Sequence, residues 1–271
     1  MELLFFCPRW GSESLSWIDF CKKVKAAGYD GIEAGVSFDV ADKLAMQHAL
    51  SETRLMLIGQ YWHSFESEFE AHQVSYKNHL QNIATLNPVK INTQTGKDYF
   101  SIAQNEALFS IAAKFTAATG IEVVHETHRN KAFFAAHITK QYLERNSALR
   151  ITADFSHWCC VAENFLEDQE EAMQLAMQHT AHIHSRVGHT EGPQVTDPRL
   201  PEWQEALNHH LNWWKQIIAM QKQKGTNNFS ITTEFGPAPY MTHDPITKLP
   251  LANQWEINVW MMEFLKKELQ N

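Results

Sequence analysis

Short runs of apolar and β-branched residues alternate along the chain with longer stretches whose apolar positions recur every three or four residues. The short runs predict strands at 2–7, 30–34, 54–59, 89–94, 121–126, 150–154, 180–185 and 228–234. Their starts recur at about 30 residues, the length of one strand-plus-helix unit. The intervening helices carry their own punctuation. A helix over 12–27 stops at Gly28, and one over 99–119 stops at Gly120. The second carries Ile102, Leu108, Ile111, Ala112 and Phe115 at helical spacing. A helix over 201–224 opens on Pro201 and closes at Gly225. The last, over 252–269, aligns Trp255, Val259, Met262 and Leu265 and ends on Lys266 and Lys267, which complement its dipole.

Eight strands alternating with helices predict a (β/α)8 TIM barrel, one domain over 1–271. The competing architecture, a doubly wound open sheet, usually carries a Gly-rich phosphate loop after an early strand, and neither GxGxxG nor GxxxxGK occurs here. The connection 187–200 stands out as long and rich in Gly, Pro and polar residues. It follows strand seven, on the face where barrel enzymes build their sites, and reads either as a plain surface loop or as a lid.

Hydrophobic residues make up 44% of the 271 and charged residues 20%, which excludes a disordered chain. Net charge is −8, so a nucleic-acid partner is not expected, since that needs a basic face. No apolar run approaches the ~18 residues of a membrane helix, and no membrane partner is expected. Cys7, Cys21, Cys159 and Cys160 form no CxxC pair, and residues 1–6 lack the basic start of a signal peptide; a reducing cytoplasm is the expected compartment. The 15 histidines are many for this length, and they cluster.

Four consecutive strands end in metal-capable side chains: Glu126 on strand five, Asp154 on six, His182 and His184 on seven, Glu234 on eight. Taken singly, each such residue is more often a helix cap or a surface charge. Parallel barrel strands, however, bring their C-terminal ends around one ring, so four neighbours with one ligand each can close on one ion. Two Glu, one Asp and one His suit Mn²⁺, Mg²⁺, Co²⁺ or Zn²⁺ and disfavour copper or an Fe–S cluster. Three carboxylates together would be costly without a cation.

Glu126, then Asp154 with His157 three residues on, then His182 and His184, then Glu234 resembles the sugar isomerase/epimerase superfamily with a xylose isomerase-like TIM barrel. The resemblance spans the chain as architecture, while its specific motifs lie in the second half. It implies that Glu126, Asp154, His184 and Glu234 bind one divalent metal ion. His157 matches a substrate-contacting histidine, and His182 lies on the same strand face as His184. It further implies that the two glutamates are catalytic, one removing a proton α to a carbonyl and the other returning one, while the metal stabilises the enediolate.

The chain departs from the best-known epimerase pattern. Ala132 stands where those enzymes carry a further Glu, and Thr190 where they carry an Arg. His128, Arg129, Arg186 and His189 are the substrate-contact candidates in their place. The two arginines leave room for a sugar phosphate or sugar acid. Trp10, Glu33, Gln60, His63 and Gln94, at or beyond the ends of strands one to four, are further pocket candidates for a polyol. Cys159 and Cys160 read as structural thiols, since no basic residue flanks them. The adjacent Trp213 and Trp214 allow one ring in the core and one at an interface, so a homo-oligomer is compatible with the chain.

The expected function is a metal-dependent sugar isomerase or epimerase with a small carbohydrate substrate. A dehydratase of an inosose or sugar acid would use the same proton abstraction. An endonuclease IV-type phosphodiesterase needs further metal ligands, for which Glu33 and His63 are candidates, and a basic groove, which the acidic composition opposes. A non-catalytic barrel would have lost the ligand set.

Overall fold

In the computed structural model, which describes residues 1–269, the chain closes a parallel barrel in sequence order, β1 pairing with both β2 and β8. The strands are β1 Glu2–Pro8, β2 Gly31–Ala34, β3 Met56–Tyr61, β4 Lys90–Thr93, β5 Val123–Glu126, β6 Ile151–Ala153, β7 Thr180–His184 and β8 Asn228–Thr232. The surrounding helices are α1 Trp17–Ala26, α2 Val40–Thr53, α3 Phe69–Ala84, α4 Ile102–Thr119, α5 Ala136–Arg145, α6 Ser156–Ala162, α7 Glu170–His179, α8 Gln204–Gln223 and α9 Gln254–Leu269. The chain is therefore a (β/α)8 TIM barrel, as the spacing of its strands predicts.

Element boundaries moved where local polar chemistry intervened. The first helix starts at Trp17 rather than at 12, because Ser16 is its N-cap and accepts the Asp19 N–H. Strand three lies two residues later than predicted. Arg54 takes a left-handed φ of 55° as the C-cap of α2 and so belongs to the turn. The start of α4 is a capping box, with Ser101 and Gln104 bonded reciprocally. Pro201–Trp203 is a 3₁₀ turn leading into α8.

The apolar core lies between barrel and helices. Ile32, Leu57, Ile91, Val123, Ile151 and Ile183 point outward from the strands into it, and Trp213 and Trp214 are both buried. Trp213 is thus not the exposed ring that the interface reading needs. Cys159 is fully buried and its thiol is pushed up by burial, as expected of a structural cysteine. No helix among the described residues is long and apolar enough to cross a membrane.

Residues 187–200 are a fixed strap rather than a flap. Gln194 bonds both the N–H and the C=O of Gly236, tying the connection after β7 to the one after β8. Gly188 lies so close to Ser156 that a Cβ would stand 2.7 Å from the serine Cβ. Its N–H donates to His210 Nε2 on α8 at 3.1 Å. The segment over the barrel mouth is instead 233–253, which leads to α9 and carries Tyr240 into the cavity described below.

Burial lowers the pKa of His210 from 6.5 to about 3, so the folded protein keeps this acceptor neutral. Between those values the unfolded chain takes up a proton that the native state does not. Stability contributed here is complete above pH 6.5 and is lost as pH falls. His210→Gln is expected to shrink the stability difference between pH 7 and pH 5 by about 2 kcal/mol. Urea unfolding at the two pH values checks this, and an unchanged difference would refute it.

Candidate active site

Glu126 and His184 are the last residues of β5 and β7, while Asp154 and Glu234 lie one and two residues past β6 and β8. Strand register places Glu126 level with Thr152 and His184 level with Thr232, so the four side chains meet at the C-terminal mouth. One ligand atom from each lies within 4.8 Å of all the others, and all four residues are buried.

The detailed contacts explain the cluster's charge. His184 Nδ1 stands 2.6 Å from Glu234 Oε2 and 3.9 Å from Glu126 Oε1. Arg186 donates through Nε and Nη2 to Asp154 Oδ2 at 3.1 Å each, and its Nη2 lies 2.9 Å from Glu234 Oε2. Ser156 caps Asp154 Oδ1 with its N–H and hydroxyl. Burial together with the neighbouring carboxylates of Glu234 and Asp154 pushes Glu126 up to about 8, against the pull of His184 and Arg186. Burial acts on Glu234 in the same direction, but Arg186 and His184 outweigh it and hold that carboxyl down at about 2. Burial would lower His184, yet Glu234, Glu33 and Glu126 together keep it well above the usual imidazole value.

Beneath this ring lies a second polar layer inside the barrel. Glu33 on β2 bonds His184 Nε2 through both oxygens, at 3.0 and 3.1 Å, and His182 Nε2 at 3.2 Å. The Thr232 hydroxyl donates to the same carboxylate. Asn92 on β4 donates to Glu33 Oε1 at 2.9 Å and Glu126 Oε2 at 3.1 Å, and accepts from Thr152. A carboxylate on Nε2 fixes the proton there and turns the Nδ1 lone pair toward Glu234 and Glu126.

The residues fit a cation. His184 Nδ1 and Glu234 Oε2 are buried 2.6 Å apart, in a cluster whose four ligand atoms all lie within 4.8 Å of one another, so a cation would replace the imidazole proton among these donors. Three carboxylates and one imidazole are a hard-to-borderline donor set. Glu33→Gln removes the charge that orients His184 and is expected to weaken Mn²⁺ binding about 10–100-fold. Calorimetric titration of chelator-stripped protein measures it, and unchanged affinity would show that Glu33 does not act through His184.

A cavity of about 720 Å³ opens above the ring, with Glu234, Arg186, His128 and Gln94 among its lining residues. Trp10, Gln60 and His63 line it too, as does Tyr240. Arg186 sits under Tyr240 and near Trp10, at 4.8 and 5.6 Å from the ring centroids. His157 is buried beside the cavity, its Nδ1 2.8 Å from Arg129 Nη1 and its ring 3.9 Å from that of His128. Arg129 also lies over Tyr240, at 5.0 Å.

Arg129 and His157 stand beside the cavity rather than in its lining, and two further substrate-contact candidates lie elsewhere. His182 points inward one layer below His184, where Ser230, Thr232 and Glu33 occupy its nitrogens. His189 is held within the 187–200 strap, bonded to Gly192 and packed on Trp203 at 4.8 Å. Glu33 and His63 do not come together as a second ion site: Glu33 is in the barrel interior, whereas His63 stacks on Trp62 and His79. Asn92 and Tyr240 escaped the sequence reading. The signal for Asn92 was an amide between Ile91 and Thr93 in a buried strand; nothing local marks Tyr240.

No family model matches the chain, and no curated protein matches its sequence. Solved structures do match over its whole length. The 3-keto-D-glucoside 4-epimerase of E. coli superposes with a TM-score of 0.62 at 13% identity, covering 98% of this chain and 100% of the other. A sugar phosphate isomerase/epimerase from Parabacteroides distasonis gives 0.61 at 11% identity, with 99% and 94% covered. A probable 3-DHS dehydratase from Bacillus anthracis gives 0.60 at 18% identity, with 98% and 99% covered. At these identities the likeness is one of fold, and by fold the chain is a (β/α)8 TIM barrel, like these three proteins.

Proposed function

We propose that the protein is a divalent-metal-dependent sugar isomerase or epimerase that moves a proton on the carbon next to a carbonyl. The observation that carries this is the placement of Glu234. It lines the cavity, and its Oε2 stands 2.6 Å from His184 Nδ1 within the four-residue cluster of possible ligand atoms. Sharing its fold with a sugar epimerase and a sugar phosphate isomerase/epimerase supports the reading.

Glu126, Asp154, His184 and Glu234 would hold the cation. It would supply Lewis acidity to a carbonyl oxygen and positive charge where the oxyanion develops. Glu234 accepts the α-proton: the C–H bond breaks, its electrons move into the carbonyl as an enediolate, and the carboxylate keeps the proton. Glu126 is the second carboxylate of the cluster and the candidate for returning a proton. His128 and Gln94 line the cavity beside it and orient hydroxyl groups. Arg186 keeps Asp154 and Glu234 ionised and in place.

The test is exchange of substrate hydrogen for solvent deuterium, followed by NMR over a panel of ketoses, sugar acids and sugar phosphates. Ion-dependent exchange with all atoms retained is the expected result. Exchange accompanied by loss of water would reassign the chain to the dehydratase reading, which likeness to a dehydratase also supports. Ion-loaded protein inert toward the whole panel would overturn the proposal.

A further inference from the structure

The cavity is larger and more aromatic than a single sugar at the ring of carboxylates needs, and its lining is net acidic. Its volume, about 720 Å³, lies in the upper part of the roughly 300–1,000 Å³ range of cavities that enclose drug-sized ligands. The inner end is closed and polar, with Glu234 and Arg186 only 4% and 3% exposed. The outer end is built from indoles. Trp62 is 45% exposed and stacked on His63 at 4.2 Å, and Trp17 and Trp10 are half-buried on the facing connections after β1. Flat aromatic faces bordered by Asp42 and Glu13 suit the C–H faces and hydroxyls of a sugar ring.

The lining is net acidic: Glu13, Asp42 and Glu234 outnumber its basic side chains. Its basic side chains, among the described residues, are Arg9 and Arg186. Arg186 is bonded to Asp154 and paired with Glu234. Arg9 donates to the Leu15 carbonyl and lies over Trp17 and Phe20, 4.4 and 4.7 Å from their centroids. Its Nη1 has no partner and can donate to a hydroxyl, and the acidic Asp42 and Glu13 line the same space and oppose an anion there. Arg129, which the sequence put forward for anion binding, is bonded to His157 and does not line the cavity.

We infer that the substrate is a neutral glycoside, a carbonyl-bearing sugar whose second sugar unit rests on Trp62, rather than a free ketose or a sugar phosphate. This rests on the carbonyl chemistry proposed above for the inner end. Two units fill both ends at once, and binding energy gained on the outer unit serves turnover at the inner one.

The probes are three disaccharides ending in fructose (lactulose, turanose and isomaltulose) set against fructose and fructose 6-phosphate. Deuterium exchange gives kcat/KM for each, and tryptophan fluorescence titration in chelator gives binding without turnover. At least one disaccharide is expected to exceed both fructose and its phosphate by tenfold or more. Trp62→Ala is expected to erode that ratio about tenfold. A phosphate preferred over the disaccharides, fructose used equally well, or a Trp62→Ala loss equal for all probes would overturn the inference. Disaccharide binding without exchange of any probe would refute the carbonyl chemistry and leave the glycoside site standing. Absence of both binding and exchange would refute the glycoside site.

Discussion

Glu234→Gln protein is expected to exchange substrate C–H hydrogen with solvent about 10²–10⁴-fold more slowly than the native chain. The amide keeps the shape of the side chain and its place on the cavity floor, but cannot accept a proton at neutral pH. Its environment holds the native carboxyl down at about 2, with Arg186 and His184 overriding burial, so the basic form is the one present across the working range. The same carboxylate belongs to the proposed ligand set, so bound Mn²⁺ must be quantified in both proteins. A deficit that persists at equal metal content assigns the loss to proton transfer. Exchange at the native rate would remove Glu234 from that role. Glu126→Gln is a weaker discriminator, because Asn92 and Gln94 bind that carboxylate and the change disturbs the layer beneath as well.

Arg186→Met is expected to cost about 3–5 kcal/mol of stability in chelator, because it leaves the buried carboxylates of Asp154 and Glu234 without their guanidinium. Methionine retains much of the apolar stem, so the loss lies with the guanidinium, including its contact with Tyr240. Part of the deficit is expected to return when Mn²⁺ is added, since a cation among Glu126, Asp154, His184 and Glu234 supplies the missing positive charge. Ligand linkage adds to any protein that binds the ion, so the comparison is the gain of the variant against the gain of the native chain. Urea unfolding with and without Mn²⁺ measures both. Equal gains would mean that guanidinium and ion do not act on the same carboxylates.

The periodicity of the chain determined its architecture. Eight β-branched or apolar runs of five to seven residues alternate with helical stretches, a parallel pair of strands needs such a crossover, and without a Gly-rich phosphate loop the pattern favours a barrel over an open sheet. The closure then follows for Glu126, Asp154, His184 and Glu234, because strand ends in a parallel barrel share one rim whatever their separation in sequence. The pocket positions Trp10, Gln60, His63 and Gln94 were legible for the same reason.

What the tertiary structure alone decided is who pairs with whom inside that rim. Strand alternation tells that His182 faces inward, but not that a Glu from the far side of the barrel, Glu33, binds it together with His184. Arg186 and Arg129 are equal in sequence as anion receptors, and only the fold commits one to Asp154 and Glu234 and the other to His157. Composition marked 187–200 as the loop to watch, yet its Gly188 and Gln194 exist to pack against Ser156 and Gly236, and Tyr240 of the next connection reaches the cavity instead. The physical reason is common to all three. Periodicity is a property of neighbours along the chain, whereas charge pairing and close packing depend on groups tens to hundreds of residues apart that meet only once the barrel has closed.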